Sequence, residues 1–164
     1  MISRILAVTG MLLLSIFIAG CQTMQSSSQG GVVAPADRAP VAQGRNTGTW
    51  QGTDIAVDYK YSLNPPAMDF SGTVRFLSHM TFNFQILHDF RLSVIFTDQD
   101  GRVLGTQGLT TNRDGLEPFP VQARLTIPAG TSQMAFSYQG TALSVGDEDG
   151  GGGGPTYFWQ YPVR

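Results

Sequence analysis

From about residue 48 onward, apolar and polar side chains alternate with period two, the pattern of strands that turn one face to a core and the other to water. Ile55, Val57, Tyr59, Tyr61 and Leu63 alternate with Ala56, Asp58, Lys60, Ser62 and Asn64, and Asn64-Pro65-Pro66 then breaks the strand. Met68, Phe70, Gly72, Val74 and Phe76 repeat the pattern against Asp69, Ser71, Thr73 and Arg75. A longer run sets Phe82, Phe84, Ile86, Phe90, Leu92, Val94 and Phe96 at even positions. That exceeds an ordinary strand and predicts a bend or bulge near Leu87 to Asp89. Asp98-Gln99-Asp100-Gly101 supplies turn chemistry before a strand at 102–109. Val121, Ala123, Leu125 and Ile127 mark the next strand, Pro128 to Thr131 a turn, and Met134, Phe136 and Tyr138 another strand. Tyr157, Trp159, Tyr161 and Val163 mark the last.

About seven strands at this spacing predict an all-β fold, an antiparallel β-sandwich, with an immunoglobulin-like topology as one arrangement. A small closed β-barrel is the alternative. No segment after Cys21 carries a helical period. Both Trp, all five Tyr and most of the ten Phe fall in residues 48–164, enough for one core and one domain.

The first residues follow a different pattern. Arg4 precedes an apolar run, Ile5 to Ile18, and then the small residues Ala19 and Gly20. This is the layout of a secretory signal peptide over residues 1–20, and the run is shorter than the ~20 residues a spanning helix needs. Ile18-Ala19-Gly20-Cys21 resembles the lipobox of bacterial lipoproteins: an aliphatic residue, two small ones and a cysteine. The resemblance implies that the signal is removed before Cys21 and that acyl chains on Cys21 anchor the mature protein in a membrane. Two or more chains hold a protein stably, at ~0.8 kcal/mol per buried CH2. Cys21 is the only cysteine, so disulfides have no place in the fold. Gln22 follows it where lipoproteins of the Gram-negative inner membrane often carry aspartate, so the resemblance favours the outer membrane of the cell envelope.

Residues 22–47 are rich in Ser, Gln, Gly, Ala and Pro and contain no aromatic residue. They bury too little apolar surface to offset their ordering entropy and are expected to form a disordered tether, with a coil dimension of about 28 Å and a taut limit of roughly 85 Å. A domain on such a tether is expected to work at a distance from the membrane.

Candidate chemistry in the domain is sparse. Its only histidines are His79 and His88, its only lysine is Lys60, and no G-x-S-x-G motif occurs. Copper held by His79, Met80 and His88 with Met68 or Met134 requires the chain to fold back, because positions 80 and 88 lie about 26 Å apart on a straight strand. Asp147, Glu148 and Asp149 in the acidic, glycine-rich stretch 146–154 offer calcium-type oxygens, but without the spacing of a known calcium loop. No cofactor beyond the lipid on Cys21 is expected.

The C-terminal "PTYFWQYPVR" is the densest aromatic cluster. With Trp50, its Tyr157, Trp159 and Tyr161 form a candidate stacking platform for sugar rings, similar to sandwich carbohydrate-binding modules. Alternation speaks against it: these residues share a face with Val163, which reads as core, and Phe158 and Gln160 are then expected outside. Loss of Arg4 leaves nine basic against twelve acidic residues, a net charge of −3 with no basic patch, and excludes nucleic acid as a natural partner. The leading expectation is a non-catalytic envelope lipoprotein acting through contact with a protein partner. The alternative is a ligand-binding module, with glycans as its ligands.

Overall fold

The alternating segments pair into two antiparallel sheets in the computed structural model, which describes residues 30–144 and 154–164. One sheet is formed by β2 (Gly44–Gln51), β3 (Ile55–Asn64), β4 (Ala67–Phe76) and β7 (Phe119–Thr126), in that order. The other runs β6 (Val103–Asn112), β5 (Ile86–Thr97), β8 (Gln133–Leu143). The far edge of β8 carries two strands end to end: β1 (Ala39–Pro40) at Gln133 and Met134, and β9 (Pro155–Gln160) at Tyr138 to Leu143. The two sheets pack face to face as a β-sandwich and do not close into a barrel. The consecutive strands β2, β3 and β4 form a meander beside β7 in one sheet, while the hairpin of β5 and β6 lies beside β8 in the other.

The alternation read from the sequence fills the space between the sheets. Ile55, Val57, Met68 and Val74 from one sheet meet Phe90, Val94, Phe96, Met134 and Phe136 from the other, all fully buried. Phe136 sits at the centre, its ring centroid 5.3 Å from Trp50, 5.5 Å from Tyr59 and 6.1 Å from Phe70. Such aromatic pairs add ~0.5–1.5 kcal/mol each beyond the area they bury.

Two stretches depart from the expected pattern. Ser78–Asn83 forms a short helix, α1, not the start of a long strand. It leaves Phe82 exposed and Met80 buried, so Met80 and not Phe82 anchors the turn. Beyond it, the irregularity expected near Leu87 to Asp89 is present as a register shift between those two residues against β8.

The expected tether ends sooner than residue 47. Gly44 to Thr47 already belong to β2, so the domain boundary anticipated at 48 falls inside a strand. Upstream, Val33 is fully buried against Ile95, Val103 and Ala135 on the outer face of the five-stranded sheet. Its amide donates to Gly101 O (2.9 Å), and Val32 exchanges bonds with Arg164 (3.2 and 3.0 Å). Residues 31–34 therefore run as a ribbon between 101–103 and 162–164. A few valines and backbone pairs hold this segment although its composition is that of a linker. Arg38 seals it, donating from Nε (2.8 Å) and Nη2 (2.5 Å) to Val33 O, with its guanidinium lying over Gly101, where any side chain would collide.

Candidate functional site

The last strand is seated with the phase opposite to the one its composition suggests. Phe158 points inward, opposite Gly140 of β8, and is 7% exposed. A β-carbon on Gly140 would strike the Phe158 ring and approach Asp89 O within 2.7 Å, so the missing side chain is what admits the ring. Phe158 stacks on Phe90 (6.2 Å, 16°) and meets Phe76 and Tyr138. With Phe158 inside, period two forces its neighbours out. Tyr157 is 71%, Trp159 68% and Tyr161 48% exposed, and the expectation that these three rings belong to the core is overturned. Trp50 is corrected the other way: it is buried between Phe136 and Tyr138 and takes no part in a surface platform.

Register decides what stands beside the exposed rings. Trp159 faces Gln139 on β8, which faces Arg91 on β5, which faces Thr111 on β6. In the adjacent row Tyr157 faces Thr141, which faces Asp89. An open concavity of about 320 Å³ lies over these rows, lined by Tyr157, Trp159, Gln139, Thr141 and Asp89. It combines two ring faces with an amide, a hydroxyl and a carboxylate. That mixture suits a ligand with apolar faces and a polar rim.

The outer face of the four-stranded sheet carries a larger concavity, about 570 Å³, bordered by Thr47, Thr49, Asp58, Lys60, Thr73 and Gln122. Its polar groups are partly paired with one another. Asp58 accepts from the Thr49 hydroxyl (2.8 Å) and from Arg75 Nε and Nη2 (3.0 and 2.9 Å). The Thr49 bond first and the Arg75 bond second hold its carboxyl below the ordinary aspartate range. We take this as the solvated face of a sandwich.

At one end of the sandwich a polar cluster joins the sheets. The Tyr138 hydroxyl donates to Asp54 Oδ2 (2.8 Å) and accepts from the Asp54 amide (3.0 Å). Asp54 Oδ1 lies 3.1 Å from His79 Nε2, and Gln160 Oε1 accepts from the Thr53 amide (2.9 Å). Burial, and then the bond to Asp54, push the Tyr138 phenol well above its ordinary range, so it stays a proton donor. A carboxylate orienting a histidine is two thirds of a hydrolytic triad, but among the described residues no serine or threonine hydroxyl bonds His79. The cluster ties the β2–β3 loop to β8 and β9.

Of the other sequence candidates, Cys21, Asp147, Glu148 and Asp149 lie outside the described residues. Met68, Met80 and Met134 are core residues, at most 2% exposed. Among the described residues no three His, Cys, Asp or Glu side chains gather as a metal site, and no helix is long and apolar enough to cross a membrane. Sequence reasoning missed Asp89, Arg91, Gln139 and Thr141. None stands out by composition, and only strand register brings them beside Trp159 and Tyr157. No family model matches the chain, and no curated protein aligns with it.

Proposed function

We propose that this chain is a lipid-anchored, non-catalytic protein of the bacterial cell envelope that binds glycan on the outer face of its five-stranded sheet, with Trp159 and Tyr157 as stacking rings. The observation that carries this reading is the exposure of those rings, 68% and 71%, at alternate positions on a strand whose inward side is already secured by Phe158. Neither ring is needed to fill the core. Large aromatics left on a surface beside directional polar groups mark recognition sites.

The lipid anchor at Cys21 supplies the location, with the outer membrane favoured by Gln22. Eight residues, 22–29, link Cys21 to Gly30, the first residue the structure describes, and a chain of that length spans at most about 27 Å.

The test is retention of the soluble chain, begun at residue 22, on immobilised polysaccharides from bacterial envelopes. The intact chain is expected to be retained and Trp159→Ala to pass through, with equal thermal melts. Passage of the intact chain, or equal retention of both, contradicts the reading.

A second reading, contact with an envelope protein, rests on the edge of β9. This strand pairs with β8 alone among the described residues and carries no charge from Pro155 to Gln160. Such an edge can accept a partner strand. Co-purification of a protein that is lost on Trp159→Lys, from a chain that binds no polysaccharide, would favour it.

A further inference from the structure

The rows that run from the aromatic rings across the sheet end in charge. Arg91 stands in line with Trp159 and Gln139, two strands from the ring, about 10 Å at a strand spacing of ~4.8 Å. Asp89 occupies the next row, in line with Thr141 and Tyr157. Arg91 Nε lies 3.5 Å from Asp89 Oδ2, and Arg113 Nε, from the end of β6, lies 3.6 Å from Asp89 Oδ1.

Two guanidinium groups thus share one carboxylate. Each contact is longer than a good charge-assisted bond, and both arginines are mostly solvent-exposed, 57% and 74%, while Asp89 is 27% exposed. Among the described residues no other acceptor holds either guanidinium. The group carries a net positive charge and has unused donors arranged as planar forks. Carboxylate and phosphate oxygens both match such a fork, and the carboxylate is the group it already receives here, from Asp89. In a chain of net charge −2, this positive spot lies on the same face as the exposed rings.

We infer that the glycan taken by this face is acidic: one sugar ring stacks on Trp159, and the carboxylate of a neighbouring uronic acid unit is received by Arg91 and Arg113. The inference rests on the glycan reading above and narrows it to a ligand class. Asp89 holds the two guanidinium groups near each other, and Gln139, between ring and charge, meets the hydroxyls of the spanning unit. Arg91 and Arg113 are the specificity-determining residues and Trp159 the shared anchor.

The experiment titrates the soluble chain, begun at residue 22, with galacturonate and glucuronate oligosaccharides and with the same oligosaccharides after carboxyl reduction to neutral sugars. The acidic form of at least one pair is expected to bind about tenfold more tightly than its reduced form, equivalent to ~1.4 kcal/mol, and to lose that advantage in high salt. Arg91→Gln with Arg113→Gln is expected to abolish the advantage of the acidic ligand over its neutral form. Trp159→Ala is expected to weaken both. Both arginines are exposed enough for the double variant to fold, and its thermal melt verifies this. Equal affinity for acidic and reduced forms, or a double variant that still discriminates, overturns the acidic ligand and leaves the platform standing. Failure of the intact chain to bind any member of the panel, or any envelope polysaccharide, overturns both.

Discussion

Truncating Phe158 to alanine tests the phase of β9, on which the whole surface depends. The ring is 7% exposed and has three aromatic partners, Phe76, Phe90 and Tyr138, each with its centroid 6.2 Å away. Removing a buried phenylalanine costs ~3–5 kcal/mol, from lost transfer energy plus the cavity left behind. Trp159 is the larger residue, yet about two thirds of it is in water, and its truncation is expected to cost under ~1 kcal/mol. Urea unfolding followed by far-UV circular dichroism separates the two. At an m-value of ~1–3 kcal/mol/M the first variant shifts its midpoint by at least about 1 M, and the second by less than about a third as much at the same m-value. Because β9 is an edge strand, Phe158→Ala is also expected to speed hydrogen exchange at residues 155–160 more than in β5 or β8. If Trp159→Ala costs as much as Phe158→Ala, the inward ring has been misidentified and the platform argument fails.

Other outcomes follow from the same geometry. Gly140→Ala places a methyl group against the Phe158 ring and the Asp89 carbonyl, and is expected to destabilise by ~1–3 kcal/mol in thermal or urea melts; a neutral effect contradicts the close approach. Asp58 titrates below the ordinary aspartate value near 3.8, so its stabilising contribution is complete above that value and is lost as the pH falls through its lowered pKa. Thr49→Val is expected to raise the Asp58 midpoint, read by carboxyl carbon NMR; an unchanged midpoint refutes the role of the hydroxyl. Cys21→Ser is expected to move the protein from the membrane to the soluble fraction, and unaltered fractionation removes the anchor.

The sandwich was legible because β4, β7 and the second half of β3 bury residues at alternate positions, as period two requires, whereas β8 is buried on both faces from Met134 to Tyr138, where Val33 covers Ala135. The bulge at Leu87 to Asp89 was legible from strand length. Three features were not. The phase of β9 could not be taken from its own residues, because three large aromatics and a valine outweigh one Phe in any hydrophobicity sum. The deciding residue, Gly140, lies in another strand. The buried Val33 sits in a segment whose composition is that of a linker, and it is held by backbone pairing with 101–103 and 162–164, which no local pattern announces. The polar half of the candidate site is also a product of register: Asp89, Arg91, Gln139 and Thr141 are ordinary surface residues until pairing aligns them with Tyr157 and Trp159.

The most direct measurement uses the two tryptophans. In a Trp50→Phe variant Trp159 is the sole indole, and its fluorescence reports on the proposed surface alone. In the free protein the emission is expected to be red-shifted and strongly quenched by acrylamide. On saturation with the bound envelope polysaccharide it is expected to shift to the blue and become protected. An indole already protected in the free protein, or one whose emission and quenching do not change while the polysaccharide is bound, contradicts the claim that this face is where the protein works.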